Sequence, residues 1–267
     1  MQRVKMFVCP ICKLQLNKIG NKYVCAKKHT FDEARQGYVN LLPVSGKKSL
    51  TPGDNDLMTT ARREFLKGGY YDKLLFRICE ILKERGVKIL LDSGCSEGHY
   101  TKVMATAVEK TLAFDISKTA VKLGSANDKN TTYFVASAFH IPLMDRAVDC
   151  VTKIFAPDSP KEFSRILKKE GILIEVIPAE NHLLELKRRL YEKVYLNKIE
   201  EPKKDGLKFL SEERLSYEFI PDESGLENLF KMTPYYYKTP KDGQNKLLNG
   251  EIFPITADFV IRIFQKQ

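Results

Sequence analysis

Three cysteines and a histidine near the N-terminus, Cys9-x2-Cys12 and Cys25-x3-His29 with twelve residues between the pairs, constrain this chain more than any other feature. Two thiolates on one knuckle and a Cys/His pair on a second can close a tetrahedron around Zn²⁺. A ligand set with no vacant position makes such a site structural rather than catalytic. Apolar residues in the first fifty positions are few and scattered. Metal binding is therefore expected to supply folding energy that so small a core lacks. Pro10 in the first knuckle and the basic Ala26-Lys27-Lys28 stretch in the second suit a zinc module. The competing reading is four unrelated residues in a reducing compartment.

The charge is concentrated in the same place. The 267-residue chain carries a formal +10, and residues 1 to 50 hold ten Lys/Arg against Asp32 and Glu33, a net +8. Three thiolates and one Zn²⁺ subtract one unit and leave about +7 on residues 1 to 50. A dense positive patch on a small zinc module is the footprint of a polyanion binder, most often nucleic acid, although a basic solubilising surface would share it. No run of eighteen apolar residues and no signal-peptide h-region appear, and Cys79, Cys95 and Cys150 lack disulfide spacing. These features lead to the expectation of a reduced, cytoplasmic protein.

Composition divides the chain into a zinc-binding domain over 1–42, a linker over 43–56 and a larger domain over 57–267. Pro43, Gly46, Pro52 and Gly53 punctuate the linker. Beyond it, Leu57, Ala61 and Phe65, then Leu74, Ile78, Ile81 and Leu82, recur at helical spacing. Two helices broken at Gly68-Gly69 are expected.

The first core strand is expected over Val87 to Leu91, running into Asp92-Ser93-Gly94-Cys95-Ser96-Glu97-Gly98 and a helix. A second strand, Thr111 to Phe114, ends at Asp115, twenty-three residues after Asp92. Strand, glycine-bearing turn, helix and a strand ending in an acid make a nucleotide-type βαβ unit. Gly94 and Gly98 let the backbone approach a ligand where a side chain would collide, and Asp115 can accept both hydroxyls of a ribose. Further strands are expected over Thr132 to Ala136, Val148 to Phe155 and Ile172 to Ile177. Such apolar strands alternating with helices imply a parallel sheet covered on both faces. Gly94, Asp115, Ser137 and Ala156 should converge beyond its carboxyl edge. The single acid after the second strand, without a phosphate-gripping G-x-x-x-x-G-K-[ST], favours S-adenosylmethionine over NAD or ATP.

Several blocks carry a family resemblance. Cys9-Pro10-Ile11-Cys12, Cys25-x3-His29, Phe31-Asp32-x-Ala34, Gly37-Tyr38-Val39-Asn40-Leu41-Leu42-Pro43 and Gly53-Asp54 resemble the bacterial 23S ribosomal RNA guanine-N1 methyltransferases of the RlmA/TlrB type. So do Met58-x-x-Ala61-Arg62-Arg63-x-Phe65-Leu66-x-x-Gly69-Tyr70, His182-Leu183-x-Glu185-Leu186-Lys187 and Met232-Thr233-Pro234-Tyr235. The resemblance spans essentially the whole chain. It implies an α/β fold, a class I (Rossmann-like) methyltransferase sheet with helices on both faces, plus a small N-terminal zinc-binding domain that recognises RNA. It also implies S-adenosylmethionine as methyl donor, one structural Zn²⁺, and a guanine in a stem-loop of domain II of 23S rRNA as substrate.

By the same resemblance, Cys9, Cys12, Cys25 and His29 are the zinc ligands. Asp92, Gly94, Gly98 and Asp115 form the cofactor loop and ribose acid, with Ser137 and Ala138 near the adenine. Ser96 stands where the family motif has glycine, which leaves open a cofactor-free RNA-binding or antibiotic-response protein. A small-molecule methyltransferase is the other alternative, and a homodimer is also open. Guanine N1 must lose a proton during transfer. Asp158 is the candidate base, against a helix N-terminal role, with His140 and His182 as further candidates. Arg62 and Arg63 could contact phosphates or the cofactor carboxylate. Tyr235, Tyr236 and Tyr237 read either as a base-stacking platform or as an alternating strand with two rings in the core. Leu186 to Leu207 reads as a basic helix and loop beside the cleft.

Overall fold

The computed structural model describes residues 6–43, 55–248 and 250–267, so the linker expected over 43–56 lies almost wholly outside the described residues. The chain opens with a three-stranded antiparallel sheet of β1 (Leu16–Ile19), β2 (Lys22–Cys25) and β3 (Thr30–Asp32), followed by the short β4 (Val39–Asn40). Next come α1 (Asp56–Lys67), α2 (Asp72–Glu84), β5 (Ile89–Ser93), α3 (His99–Met104), β6 (Lys110–Asp115), α4 (Lys118–Asn127) and β7 (Thr131–Val135). The remainder runs β8 (Val148–Ile154), α5 (Pro160–Ile166), β9 (Leu167–Pro178), α6 (Leu184–Leu190), β10 (Leu207–Phe219), α7 (Glu223–Lys231), α8 (Tyr235–Lys238), α9 (Lys241–Leu248) and β11 (Ile255–Lys266).

The first helix begins where Asn55 accepts the Met58 N–H, with Asp56 favourably placed at the positive end of the helix. Leu74, Leu75, Ile78, Ile81 and Leu82 of α2 form one buried stripe, as their spacing requires. The main sheet has the order β10-β11-β9-β8-β5-β6-β7-β4. Strands from β9 through β4 are parallel, and β11 runs antiparallel to both its neighbours. The chain leaves β5 toward β6 and β7 on one side and later fills β8 and β9 on the other. The strand order therefore reverses between β5 and β8, which opens a crevice beyond their carboxyl ends.

One expectation is corrected. Tyr235 to Tyr237 do not alternate in a strand. They form the short α8 behind Pro234, whose φ of −62° already suits a helix. The segment from Leu186 is a basic helix and then a loop, as expected: α6 ends at Leu190 and the chain is largely irregular until β10. Among the described residues no helix is long and apolar enough to cross a membrane.

The scattered apolar residues of the zinc module also have a different role from the one their spacing suggests. Met6, Phe7, Leu16, Val39 and Leu41 are buried in one cluster with Phe114, Phe134, Leu143 and Val148 of the main sheet and its loops. The Phe7 ring meets Tyr23 and Phe134 edge-on at centroid distances of 5.5 and 5.1 Å. Backbone bonds close the seam, since the Val8 N–H donates to Pro142 and the Met144 N–H to Met6. Val39 pairs with Phe134 in parallel register, so the segment after the module is an edge strand of the main sheet.

A core shared in this way should unfold as one unit. Phe7→Ala is expected to cost about 3–5 kcal/mol and shift a single urea transition of the whole protein to lower denaturant. Two separate transitions, or an unchanged midpoint with loss of zinc alone, would contradict the shared core.

Candidate functional site

The N-terminal cluster has the geometry of a metal centre. Lys13 and Lys28 adopt left-handed backbone, each with φ of 63°, and turn the two knuckles so that their ligands face one point. His29 Nδ1 lies 3.4 Å from the Sγ atoms of both Cys9 and Cys25, and Cys12 Sγ is 3.6 Å from Cys25 Sγ. All four donor atoms fall within 4.8 Å of one another. Zn–S bonds of about 2.3 Å and Zn–N bonds of about 2.0 Å give tetrahedron edges of roughly 3.5–3.8 Å, so the donor set fits one zinc ion. Lys27 and Lys28 are exposed on the second knuckle.

The crevice at the strand reversal is a cavity of about 890 Å³. It brings together Asp92, Gly94, Asp115, Ser137 and Ala138 from the ends of β5, β6 and β7. Gly94 has φ of 78°, and a Cβ there would come within 2.5 Å of the Ala156 Cβ in the turn after β8. Only glycine allows these two turns to touch. Gly98, with φ of 82°, precedes α3, where a Cβ would strike the Tyr133 hydroxyl. It supports the loop without lining the cavity.

Ser96 takes the left-handed conformation, φ 48°, that a glycine would adopt freely. Its N–H donates to Asp115 Oδ2 at 3.0 Å, and its hydroxyl accepts a bond from Arg62 Nη1 at 3.4 Å. The loop has thus absorbed the serine, with a side-chain contact to offset the backbone cost. Asp115 Oδ1 accepts the Ser117 N–H at 2.8 Å, which fixes the carboxylate at the cavity wall.

Asp92 acts through the fold. Its two oxygens accept the hydroxyls of Thr101 on α3 (2.5 Å) and Thr152 on β8 (2.9 Å), so one carboxylate joins three elements at the reversal point. Burial pushes its pKa up from 3.8 to about 6, against the opposing effect of the two threonine bonds and with a further push from Asp115.

The other candidates separate clearly. Arg62 lines the cavity, whereas Arg63 pairs with Glu64 at the surface. Asp158 is exposed and absent from the cavity lining, and its carboxylate is engaged by the ammonium groups of Lys204 and Lys153. His140 does not line the cavity either. His182 does, but burial drives its pKa down to about 3. Its Nδ1 already accepts the Asp258 N–H at 3.3 Å, which leaves Nε2 as the N–H facing the Tyr71 hydroxyl at 3.4 Å. A neutral imidazole with its lone pair occupied orients its surroundings and does not take up a proton.

Beside it, Phe155 follows β8 in left-handed backbone, φ 53°, an unusual state for a bulky residue. Its ring is 45 % exposed and lies 25° from the His182 plane, with centroids 6.1 Å apart. Neither Phe155 nor Glu97 stands out in the sequence. Glu97 is buried at the cavity and, among the described residues, neither of its carboxylate oxygens has a hydrogen-bond partner, nor do the Ser93 and Tyr100 hydroxyls there.

A cysteine–histidine zinc ribbon built onto a strand-reversal cavity defines a zinc-bearing class I methyltransferase, and comparison with known proteins agrees. Residues 7–50 match the family described as "RlmA, N-terminal", a zinc ribbon, and residues 91–174 match the methyltransferase domain family. YxjB of Bacillus subtilis, assigned by name to the 23S rRNA (guanine-N(1)-)-methyltransferases, is 31% identical, with 98% of this chain and 97% of that protein covered. The 23S rRNA (guanine(748)-N(1))-methyltransferase of Streptomyces fradiae is 33% identical over 68% of this chain and 67% of its own. Among solved structures, the YcgJ protein of Bacillus subtilis shares the fold with a TM-score of 0.51 at 15% identity, covering 72% of this chain and 97% of that one. The chain belongs to the 23S rRNA (guanine-N1)-methyltransferase family. S-adenosylmethionine, the methyl donor of this class, fits the cavity, which offers a glycine cradle, a carboxylate at the end of β6 and unpartnered polar groups.

Asp92 gives a pH test. Because its pKa in the folded protein lies above the ordinary 3.8, folding favours the protonated form, and stability is lost as pH rises through about 6. The ionised form costs on the order of 3 kcal/mol at pH 8. Asp92→Asn should raise the thermal midpoint more at pH 8 than at pH 5. An equal change at both pH values would mean that Asp92 titrates normally.

Proposed function

We propose that this protein transfers the methyl group of S-adenosylmethionine to N1 of a guanine in a stem-loop of 23S ribosomal RNA, in the cytoplasm. The observation that carries the reading is the double role of the loop after β7. Ala136 to Phe139 line the cavity, and a few residues on, Pro142 to Met144 seat the basic zinc module. A hairpin gripped through its phosphates by the module thereby offers its unpaired bases at the cavity mouth.

In this reading residues 1–42 are the RNA-recognition domain and 57–267 the catalytic one, joined by 43–56. Cys9, Cys12, Cys25 and His29 hold the zinc. Asp115 accepts the ribose hydroxyls, Gly94 keeps the loop backbone clear, Gly98 supports that loop from behind, and Ser137 and Ala138 border the adenine. Asp92 braces the strands beneath. When bound, the cofactor supplies a methyl group already activated by the sulfonium, so the chain's task is mainly alignment. Phe155, held half exposed against His182, provides the face on which an unstacked guanine lies flat. A homodimer is a separate proposal, and light scattering at working concentration is its check.

The direct test is incubation of the purified protein with labelled S-adenosylmethionine and an unmodified domain II transcript, followed by mass mapping. The expected product is N1-methylguanine in one hairpin. Methylation of a small molecule with none of RNA, or no transfer at all, would sink the reading.

The electrostatic part has its own test. Neutralising Lys27 and Lys28 together should weaken RNA binding and lower the slope of log affinity against log salt by roughly one to two units, with zinc content unchanged. An unchanged slope would mean that the RNA lies elsewhere.

A further inference from the structure

Glu97 sits in the turn between β5 and α3, only 7% exposed, and among the described residues neither oxygen of its carboxylate has a hydrogen-bond partner. Three other buried carboxylates among the described residues have partners. Asp92 has two threonine hydroxyls, Glu175 has the ammonium groups of Lys153 and Lys204, and Asp258 has the Arg214 guanidinium and the Asn181 N–H. A buried carboxylate without donors is among the least favourable arrangements a fold can keep, so one that lines a cavity points to a ligand.

Among the described residues no cationic side chain donates a hydrogen bond to either Glu97 oxygen. Burial lowers the pKa of His99, with Glu97 only partly opposing it, so the imidazole is neutral at pH 7. Tyr100 is held neutral by burial, and its hydroxyl is itself unpartnered. Ser93 adds a second orphan hydroxyl on the same cavity. Arg62 lies in the cavity and bonds the Ser96 hydroxyl. Its planar fork suits a carboxylate.

We infer that Glu97 holds the α-ammonium group of the S-adenosylmethionine amino-acid end, with Ser93 as a further acceptor and the Arg62 guanidinium toward the α-carboxylate. The inference rests on the methyl-donor reading above. What decides between the two cationic centres of the cofactor is hydrogen-bond chemistry. The orphan carboxylate needs donors, the ammonium carries three N–H groups, and the sulfonium carries none. The adenosine end then lies toward Asp115, Ser137 and Ala138, on the β6 and β7 side of the turn.

The test is calorimetric titration of the full-length, zinc-loaded protein and its Glu97→Gln variant with three probes: S-adenosylmethionine, S-adenosylhomocysteine and 5′-methylthioadenosine, which lacks the amino-acid end. Glu97→Gln should weaken the first two by a common factor of roughly tenfold to a hundredfold and leave the third unchanged. The ligand-free variant should melt at the same or a higher temperature, because an unpaired buried charge has been removed. Weakening of S-adenosylmethionine alone would assign the carboxylate to the sulfonium and overturn the inference. Parallel weakening of all three with a lower melting temperature would make Glu97 a purely structural residue, and unchanged affinities would remove it from the site. A parent protein that binds none of the probes would instead overturn the methyl-donor reading itself.

Discussion

The seam between the zinc module and the edge of the main sheet is the contact on which the rest of this molecule depends. Phe7 against Phe134, Val39 paired with Phe134, and the Val8 N–H on Pro142 make the module continuous with the parallel sheet. A four-ligand zinc knuckle on a flexible tether could bind RNA, but it could not hold one guanine in register with a methyl donor. Burial of Met6, Phe7 and Leu41 removes that freedom. The loop from Ala136 to Met144 conveys the constraint, since one end walls the cavity and the other seats the module.

Charge is segregated to match. The module carries most of the +10 of the chain, while Asp92, Glu97 and Asp115 gather at the carboxyl ends of β5 and β6. A cationic methyl donor and a polyanionic substrate thus each meet a surface of opposite sign. The negative end is maintained against the fold's interest, as the raised pKa of Asp92 and the unpartnered Glu97 both indicate. Costs of this kind concentrate at functional sites, and so does the left-handed backbone at Ser96 and Phe155.

Features set by local rules were legible in the sequence. The convergence of Cys9, Cys12, Cys25 and His29 follows from spacing, the break between α1 and α2 from Gly68-Gly69, and the βαβ unit from strand, glycine turn and terminal acid. Features set by distant contacts were not. Phe7 is isolated in sequence, and the core it belongs to exists only with Phe134 and Leu143 beside it. The three consecutive tyrosines suit strand or helix alike until Pro234 starts a helix. Asp158 looked like a base because it follows the end of β8, and only Lys204, distant in sequence, reveals that its carboxylate is occupied. Glu97 could not be singled out, since its significance is the absence of partners around it.

The central claim is that zinc module, connecting loop and cofactor cavity form one mechanical unit. It is tested most directly by measuring S-adenosylmethionine affinity before and after zinc removal, at a temperature where both forms keep their helical signal. The account predicts that affinity falls on zinc removal and returns with zinc, because Ser137 and Ala138 lose the seam that steadies their loop. Equal affinity in the two forms would contradict it and make the module an independent appendage.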